Sequence, residues 1–127
     1  MSSARAAAEK NTKGVMASRE GIIKEKDMKY NKLVRDKIPE YIKSKGGTPI
    51  IHIANDKEYW EKLKEKLQEE IKEFSENETI KEMADIQEVI DAICSYKKFS
   101  RKKLEAVRNK KAKERGAFKK KIILEES

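Results

Sequence analysis

The chain has 127 residues, 43% of them charged, with a formal net charge of +8. An apolar fraction of 37% and a mean hydropathy of −0.91 leave little material for a core, so we expect one domain that completes its core by oligomerising. The single Cys94 excludes an internal disulfide. No apolar run resembles a membrane span or a secretory signal, which predicts the reducing cytoplasm and no membrane partner.

The charge is distributed unevenly along the chain. Residues 56–91 hold thirteen acids against six lysines, a balance of −7. Residues 97–121 hold thirteen Lys or Arg against two Glu, a balance of +11. An acidic middle can hold a metal ion, whereas a basic end can hold phosphate groups or nucleic acid.

The chain begins with a stretch that does not resemble a folded element. Residues 1–28 are rich in small and charged residues and show no sustained apolar period. We interpret them as a flexible N-terminal tail or leader, with Met28 as a candidate for the natural first residue. Residues 29–127 then form the folded domain.

A short helix and a short strand are predicted at the start of this domain. Pro39 suits the first turn of a helix, because its missing N–H would have no partner there. Gly46 and Gly47 end the helix, which places it at about residues 36–45. The β-branched stretch Thr48–Ala54 follows and is predicted as a strand.

Apolar residues at helical spacing predict two longer helices. Asn55 is a suitable N-cap for the first helix, whose apolar residues recur every three or four positions. These residues are Trp60, Leu63, Leu67, Ile71 and Phe74. A turn at Ser75–Asn77 leads to a second helix from about Glu78 to Lys97. Because a short connection makes neighbouring helices antiparallel, the end of the first should lie beside the start of the second.

Four carboxylates lie where these two helices should meet. Glu70 and Glu73 share one helix face, and Glu82 and Asp85 share another, since residues three apart are neighbours on a helix. Two unit charges 4 Å apart repel by about 4 kcal/mol at an effective dielectric near 20. A divalent cation reverses that cost, and oxygen ligands suit Mg²⁺, Mn²⁺ or Ca²⁺.

Spacing alone leaves two alternatives open. The carboxylates also fit a solvated acidic face in so charged a chain. In addition, Glu88 and Asp91 repeat the same three-residue spacing two turns later, so the ligand set is not unique.

A third helix is predicted from Ser100, a good N-cap, to Arg115, with Gly116 ending it. Its cations Arg108, Lys111 and Arg115 share one face and suit either a phosphate clamp or a solvated basic surface.

A terminal strand is predicted at Lys121–Glu125, pairing with Pro49–Ile53. The expected fold is therefore mainly α, an antiparallel helical bundle with a small two-stranded β ribbon. Because a lone ribbon is marginally stable, it should pack on the helices or across a subunit interface.

Several of these segments resemble one family. The pattern EE-x-x-E at Glu69–Glu73, followed by E-x-x-D at Glu82–Asp85, is similar to the signature of the all-α nucleoside triphosphate pyrophosphohydrolases, the MazG-like and phosphoribosyl-ATP pyrophosphohydrolase-like group. The spacer between the two motifs is shorter than is usual there. Three further segments strengthen the resemblance, which covers about residues 29–125. They are YNKLVRDKIPEYI at Tyr30–Ile42, N-x-K-x-x-x-R at Asn109–Arg115, and RGAF-x-x-x-I-I-L at Arg115–Leu124.

The resemblance implies a Mg²⁺-dependent enzyme, with Mn²⁺ as a substitute, that cleaves the α–β phosphoanhydride of a nucleotide to the monophosphate and pyrophosphate. It also implies a dimer or tetramer of helical protomers. By the same resemblance, Glu69 orients a ligand or activates the attacking water. The implied metal ligands are Glu70, Glu73, Glu82 and Asp85, and the implied phosphate contacts are Asn109, Lys111 and Arg115.

The substrate and two rival functions stay open. Nothing in the sequence marks a phosphoribosyl pocket, so hydrolysis of non-standard nucleotides in a house-cleaning role is at least as compatible. A nucleic-acid-binding module is one rival, although nucleic acid is not expected as a partner because Phe99 and Phe118 are the only aromatics in the basic segment. A non-catalytic metal-binding relative is the other, and the short spacer favours it.

Overall fold

The computed structural model describes residues 31–127. The interpretation of residues 1–28 as a tail or leader therefore lies outside the described residues, and the domain limits of 29–127 stay a prediction. The described residues divide into two units, with the boundary between Ala54 and Asn55.

The described part of the chain is mainly helical, which confirms the predicted α class. It contains four helices in chain order: α1 (Ile38–Ser44), α2 (Asp56–Glu76), α3 (Ile80–Lys97) and α4 (Arg101–Arg115). None of them is both long enough and apolar enough to cross a membrane.

Helix α1 belongs to the first unit and ends where the glycines predict. Pro39 lies in its first turn. The N–H of Gly47 donates to the carbonyl of Ile42 at 2.9 Å. A Cβ at position 47 would lie 2.7 Å from the Cγ2 of Ile42, so any other residue here would force the Ile42 side chain to shift.

The predicted β ribbon is wrong, because no strand occurs between residues 31 and 127. Thr48–Ala54 and Lys121–Glu125 are both irregular. Their β-branched composition favours an extended backbone, but a two-stranded ribbon also needs an apolar face to pack on. The apolar side chains of these segments are 60–95% exposed and supply no such face. They are Ile50, Ile51, Ile53, Ile122, Ile123 and Leu124.

Side-chain caps fix the start of each long helix in the second unit. The Oδ1 of Asn55 accepts from the N–H of Glu58 at 2.9 Å, which confirms the predicted cap of α2. The Oγ of Ser100 accepts from the N–H of Lys103 at 3.0 Å, which confirms the cap of α4. For α3 the cap is Thr79, whose Oγ1 accepts from the N–H of Glu82 at 3.3 Å.

The turn between α2 and α3 lies two residues later than predicted. Ser75 continues the helix, and its hydroxyl donates to the carbonyl of Ile71 at 3.0 Å. Inside a helix, a serine hydroxyl can form its hydrogen bond with a backbone carbonyl of the preceding turn, so a serine need not mark a turn. The connection is Asn77–Thr79, and α3 begins at Ile80 rather than Glu78.

Helices α2 and α3 form an antiparallel hairpin with a thin core. Leu63 and Val89 are its buried apolar residues. At the open end, near the start of α2 and the end of α3, the rings of Trp60 and Tyr96 stack with centroids 5.3 Å apart. Burying each aliphatic side chain contributes about 1.5–3 kcal/mol. Because the core contains so few buried side chains, it stabilises the hairpin only modestly.

Helix α4 contacts α3 more loosely. Lys98 adopts a left-handed conformation, with φ of 61°, which turns the chain back. An ion pair of 2.8 Å between Arg101 and Asp91 joins the two helices. No residue of α4 is buried.

Candidate metal centre

Three carboxylates converge at the closed end of the α2–α3 hairpin. Glu70 comes from the last third of α2, and Glu82 and Asp85 come from the start of α3. Each offers one oxygen, and these oxygens lie within 4.8 Å of one another. The antiparallel hairpin thus brings together three of the four carboxylates that the sequence nominates.

The three carboxylates are partly or almost wholly withdrawn from water. Glu70 is only 6% exposed, and Glu82 and Asp85 are half-buried. Among the described residues, Oε1 of Glu70 and Oε1 of Glu82 are buried with no hydrogen-bond partner. Leaving a buried carboxylate oxygen unpartnered is costly, and a hard cation would satisfy both oxygens. The donor set therefore fits Mg²⁺ or Mn²⁺.

The pKa of Glu70 reflects the same burial. Burial raises the pKa of this carboxyl above its usual range, and the charges of Glu73 and Asp85 add to the rise. The ammonium group of Lys66 opposes it. A bound cation would strongly favour the ionised carboxylate and so lower that pKa.

Lys66 also belongs to this site, although the acidic motifs do not include it. Its Nζ lies 3.1 Å from Oε2 of Glu70 and 3.4 Å from Oε2 of Glu69. The sequence spacing indicates this contact, because Lys66 precedes Glu70 by four residues and so lies on the same helix face.

The remaining predicted acidic residues lie around the cluster rather than in it. Glu73 is half-buried and close enough to influence the Glu70 pKa, but it does not belong to the group of converging oxygens. Glu69, the residue before Glu70, contacts Lys66 instead.

The alternative pair, Glu88 and Asp91, lies elsewhere on α3. Asp91 accepts hydrogen bonds from Arg101 at 2.8 Å and from Gln87 at 3.0 Å. Glu88 is exposed. Neither belongs to the group of converging oxygens.

The predicted phosphate-binding residues of α4 are exposed and separate from the carboxylates. Within residues 31–127, no hydrogen bond or ion pair joins Asn109, Lys111 or Arg115 to the three acids. Lys111 instead lines a cleft of about 750 Å³ between α3 and α4. At about 100° per residue, Asp91, which lines this cleft, lies about 120° around α3 from Asp85. Lys111 and the three acids of one protomer therefore lie on different sides of α3.

Comparisons with known proteins define no family. No protein-family model matches the chain, and no solved structure matches it. A protein of Mycolicibacterium smegmatis described as uncharacterized is 49% identical over 47 residues, which is 37% of this chain and 48% of that protein. The match thus spans about half the length of that relative, and its description names no activity.

Proposed function

We propose that this protein is a Mg²⁺-dependent nucleotide pyrophosphohydrolase of the MazG-like type, cleaving the α–β phosphoanhydride to a monophosphate and pyrophosphate. The observation that carries the proposal is the buried carboxylate cluster with its two unpartnered oxygens. Those three acids belong to the two motifs that resemble the family signature. A solvated acidic face would not bury Glu70 to 6% exposure.

Each acidic residue has a proposed role. Glu70, Glu82 and Asp85 would hold the metal, with Glu73 joining them from the next turn of α2. Bound Mg²⁺ lowers the pKa of a coordinated water and neutralises charge on phosphate oxygens. Glu69 would orient a ligand or accept the proton of the attacking water.

The α4 cations would hold the substrate's phosphate chain. Lys111 and Arg115 can neutralise the charge of the leaving pyrophosphate, and Asn109 can donate to its oxygens. We also propose that the protein is a homo-oligomer, in which a second copy packs against each protomer.

The α3–α4 cleft is the surface proposed for that second copy. Its lining includes three exposed apolar residues: Phe99 (55%), Leu104 (40%) and Val107 (48%). The α2–α3 core is thin, so covering these side chains would add the apolar burial that a protomer lacks.

Pyrophosphate release from a panel of standard and non-standard nucleotides, with Mg²⁺ and with EDTA, tests the function. We expect Mg²⁺-dependent release by the wild type and a loss of at least about a hundredfold in Glu70→Gln, because a missing carboxylate removes metal charge stabilisation. Glu61→Gln is the matched control, since Glu61 lies on the same helix and pairs with Lys64 at an exposed position. Equal turnover by the wild type and Glu70→Gln would reject the site. Metal binding without turnover of any nucleotide would indicate the non-catalytic relative.

A nucleic-acid-binding module is the second candidate function. It is favoured by a group of exposed lysines that make no ion pair within the described residues. They are Lys102, Lys103, Lys110, Lys113, Lys119 and Lys120. RNA or DNA binding that falls steeply with salt and is unchanged by EDTA would support this candidate.

A further inference from the structure

Lys66 differs from the other ion-paired lysines of α2 in the partner it contacts. Lys62, Lys64 and Lys72 pair with acidic side chains that are 56–65% exposed. The Glu70 side chain paired with Lys66 is 8% exposed, and the Lys66 side chain itself is 17% exposed. Lysine is rarely buried without a charged partner, so this contact is more than a surface ion pair.

The contact leaves the two oxygens of Glu70 in different states. Oε2 receives the ammonium at 3.1 Å, while Oε1 has no hydrogen-bond partner. The same ammonium also reaches Glu69 at 3.4 Å. One positive charge therefore offsets part of the repulsion among clustered acids that a divalent cation would offset more fully.

We propose that Lys66 is the resident counter-ion of the carboxylate cluster when no metal is bound, and that a divalent cation binds in competition with the Lys66–Glu70 ion pair. The inference rests on the proposed metal site and assigns Lys66 a positioning role. The ammonium keeps the metal-free cluster folded. It also repels an incoming dication, so it lowers the metal affinity of the site.

The charge of Lys66 can be removed in two ways. Lys66→Met removes both charge and hydrogen bonds, and Lys66→Gln keeps a hydrogen-bond donor without the charge, which serves if Met is not tolerated. Lys66→Arg keeps the charge. Lys62→Met is the matched control, because Lys62 lies one turn earlier on α2 and pairs with the exposed Glu65 at 3.2 Å.

Two measurements on each protein test the proposal: the Mn²⁺ dissociation constant from titration calorimetry with MnCl₂ alone, and the thermal unfolding midpoint in EDTA. For Lys66→Met or Lys66→Gln we expect the dissociation constant to fall about tenfold or more. We expect the midpoint in EDTA to fall by about 4–8 °C. Lys66→Arg and Lys62→Met should stay near the wild type in both measurements.

The outcomes separate this inference from the metal site itself. An unchanged or weaker Mn²⁺ affinity in the uncharged Lys66 variants, with normal binding by the wild type, would overturn the counter-ion role and leave the proposed function standing. A wild type that does not bind Mn²⁺ at all would overturn both. A variant that unfolds in EDTA and refolds with Mn²⁺ would support the proposal.

Discussion

The ring of Trp60 stacks on the ring of Tyr96 with centroids 5.3 Å apart and planes 7° apart. This contact packs the start of α2 against the end of α3, while the carboxylates of Glu70 and Glu82 lie close together at the other end of the same hairpin. Glu70 lies ten residues after Trp60, about 15 Å further along α2. The aromatic contact therefore fixes the register that brings the carboxylates together.

Trp60→Ala should destabilise the hairpin by about 3 kcal/mol, near the low end for aromatic truncation because the ring is only half-buried. Urea unfolding in EDTA measures the change. Phe118→Ala is the control, since Phe118 is 99% exposed and its loss should change the free energy of unfolding by less than about 0.5 kcal/mol. Similar losses in the two variants would show that the aromatic stack does not hold the hairpin.

Glu70 should make the metal-free protein less stable as pH rises. Burial raises its folded-state pKa above the unfolded value near 4.5, so in that window the folded state binds more protons than the unfolded state. Its contribution is present below pH 4.5 and is lost as pH rises through the raised folded pKa. The difference in free energy of unfolding between wild type and Glu70→Gln, measured in EDTA across this range, should follow that sign. A difference that grows in favour of the wild type with rising pH would contradict it.

Glu82→Gln should weaken Mn²⁺ binding by about tenfold or more, because it removes one negative charge and replaces a carboxylate oxygen of the cluster with a neutral amide. Glu88→Gln removes the same charge from an exposed position of the same helix and should leave binding unchanged. Titration calorimetry separates the two. A larger loss in Glu88→Gln would move the metal to the alternative acidic pair.

Leu104→Asp should convert the proposed oligomer into a monomer, because it places a charge in the apolar lining of the α3–α4 cleft. Ala106→Asp adds the same charge to an exposed position of α4 that does not line the cleft, and it should leave the mass unchanged. Light scattering after size exclusion gives the mass of each protein. A wild-type monomer, or a monomer produced equally by both variants, would reject this interface.

Local signals predicted the helices well. Asn55 and Ser100 cap the helices that follow them, because an N-cap depends on one side chain and the next turn of backbone. The strand prediction failed because β-branched residues such as Ile50 and Ile122 form strands only when a neighbouring surface covers them.

The sequence predicts where the candidate site lies better than it predicts which residues form it. Antiparallel pairing and three-residue spacing placed Glu70 beside Glu82 and Asp85. Spacing could not decide whether Glu73 joins them, since that depends on how α2 is rotated against α3. Nor does spacing show that Lys66 covers one oxygen of Glu70, because a lysine at that position can also extend its ammonium group into water.

A crystal structure soaked in Mn²⁺ and measured at an anomalous wavelength is the most direct test of the metal site. We expect one strong anomalous peak between Glu70, Glu82 and Asp85, at about 2.0–2.2 Å from their oxygens. A peak at Glu88 and Asp91, or no peak near the closed end of the α2–α3 hairpin, would contradict it.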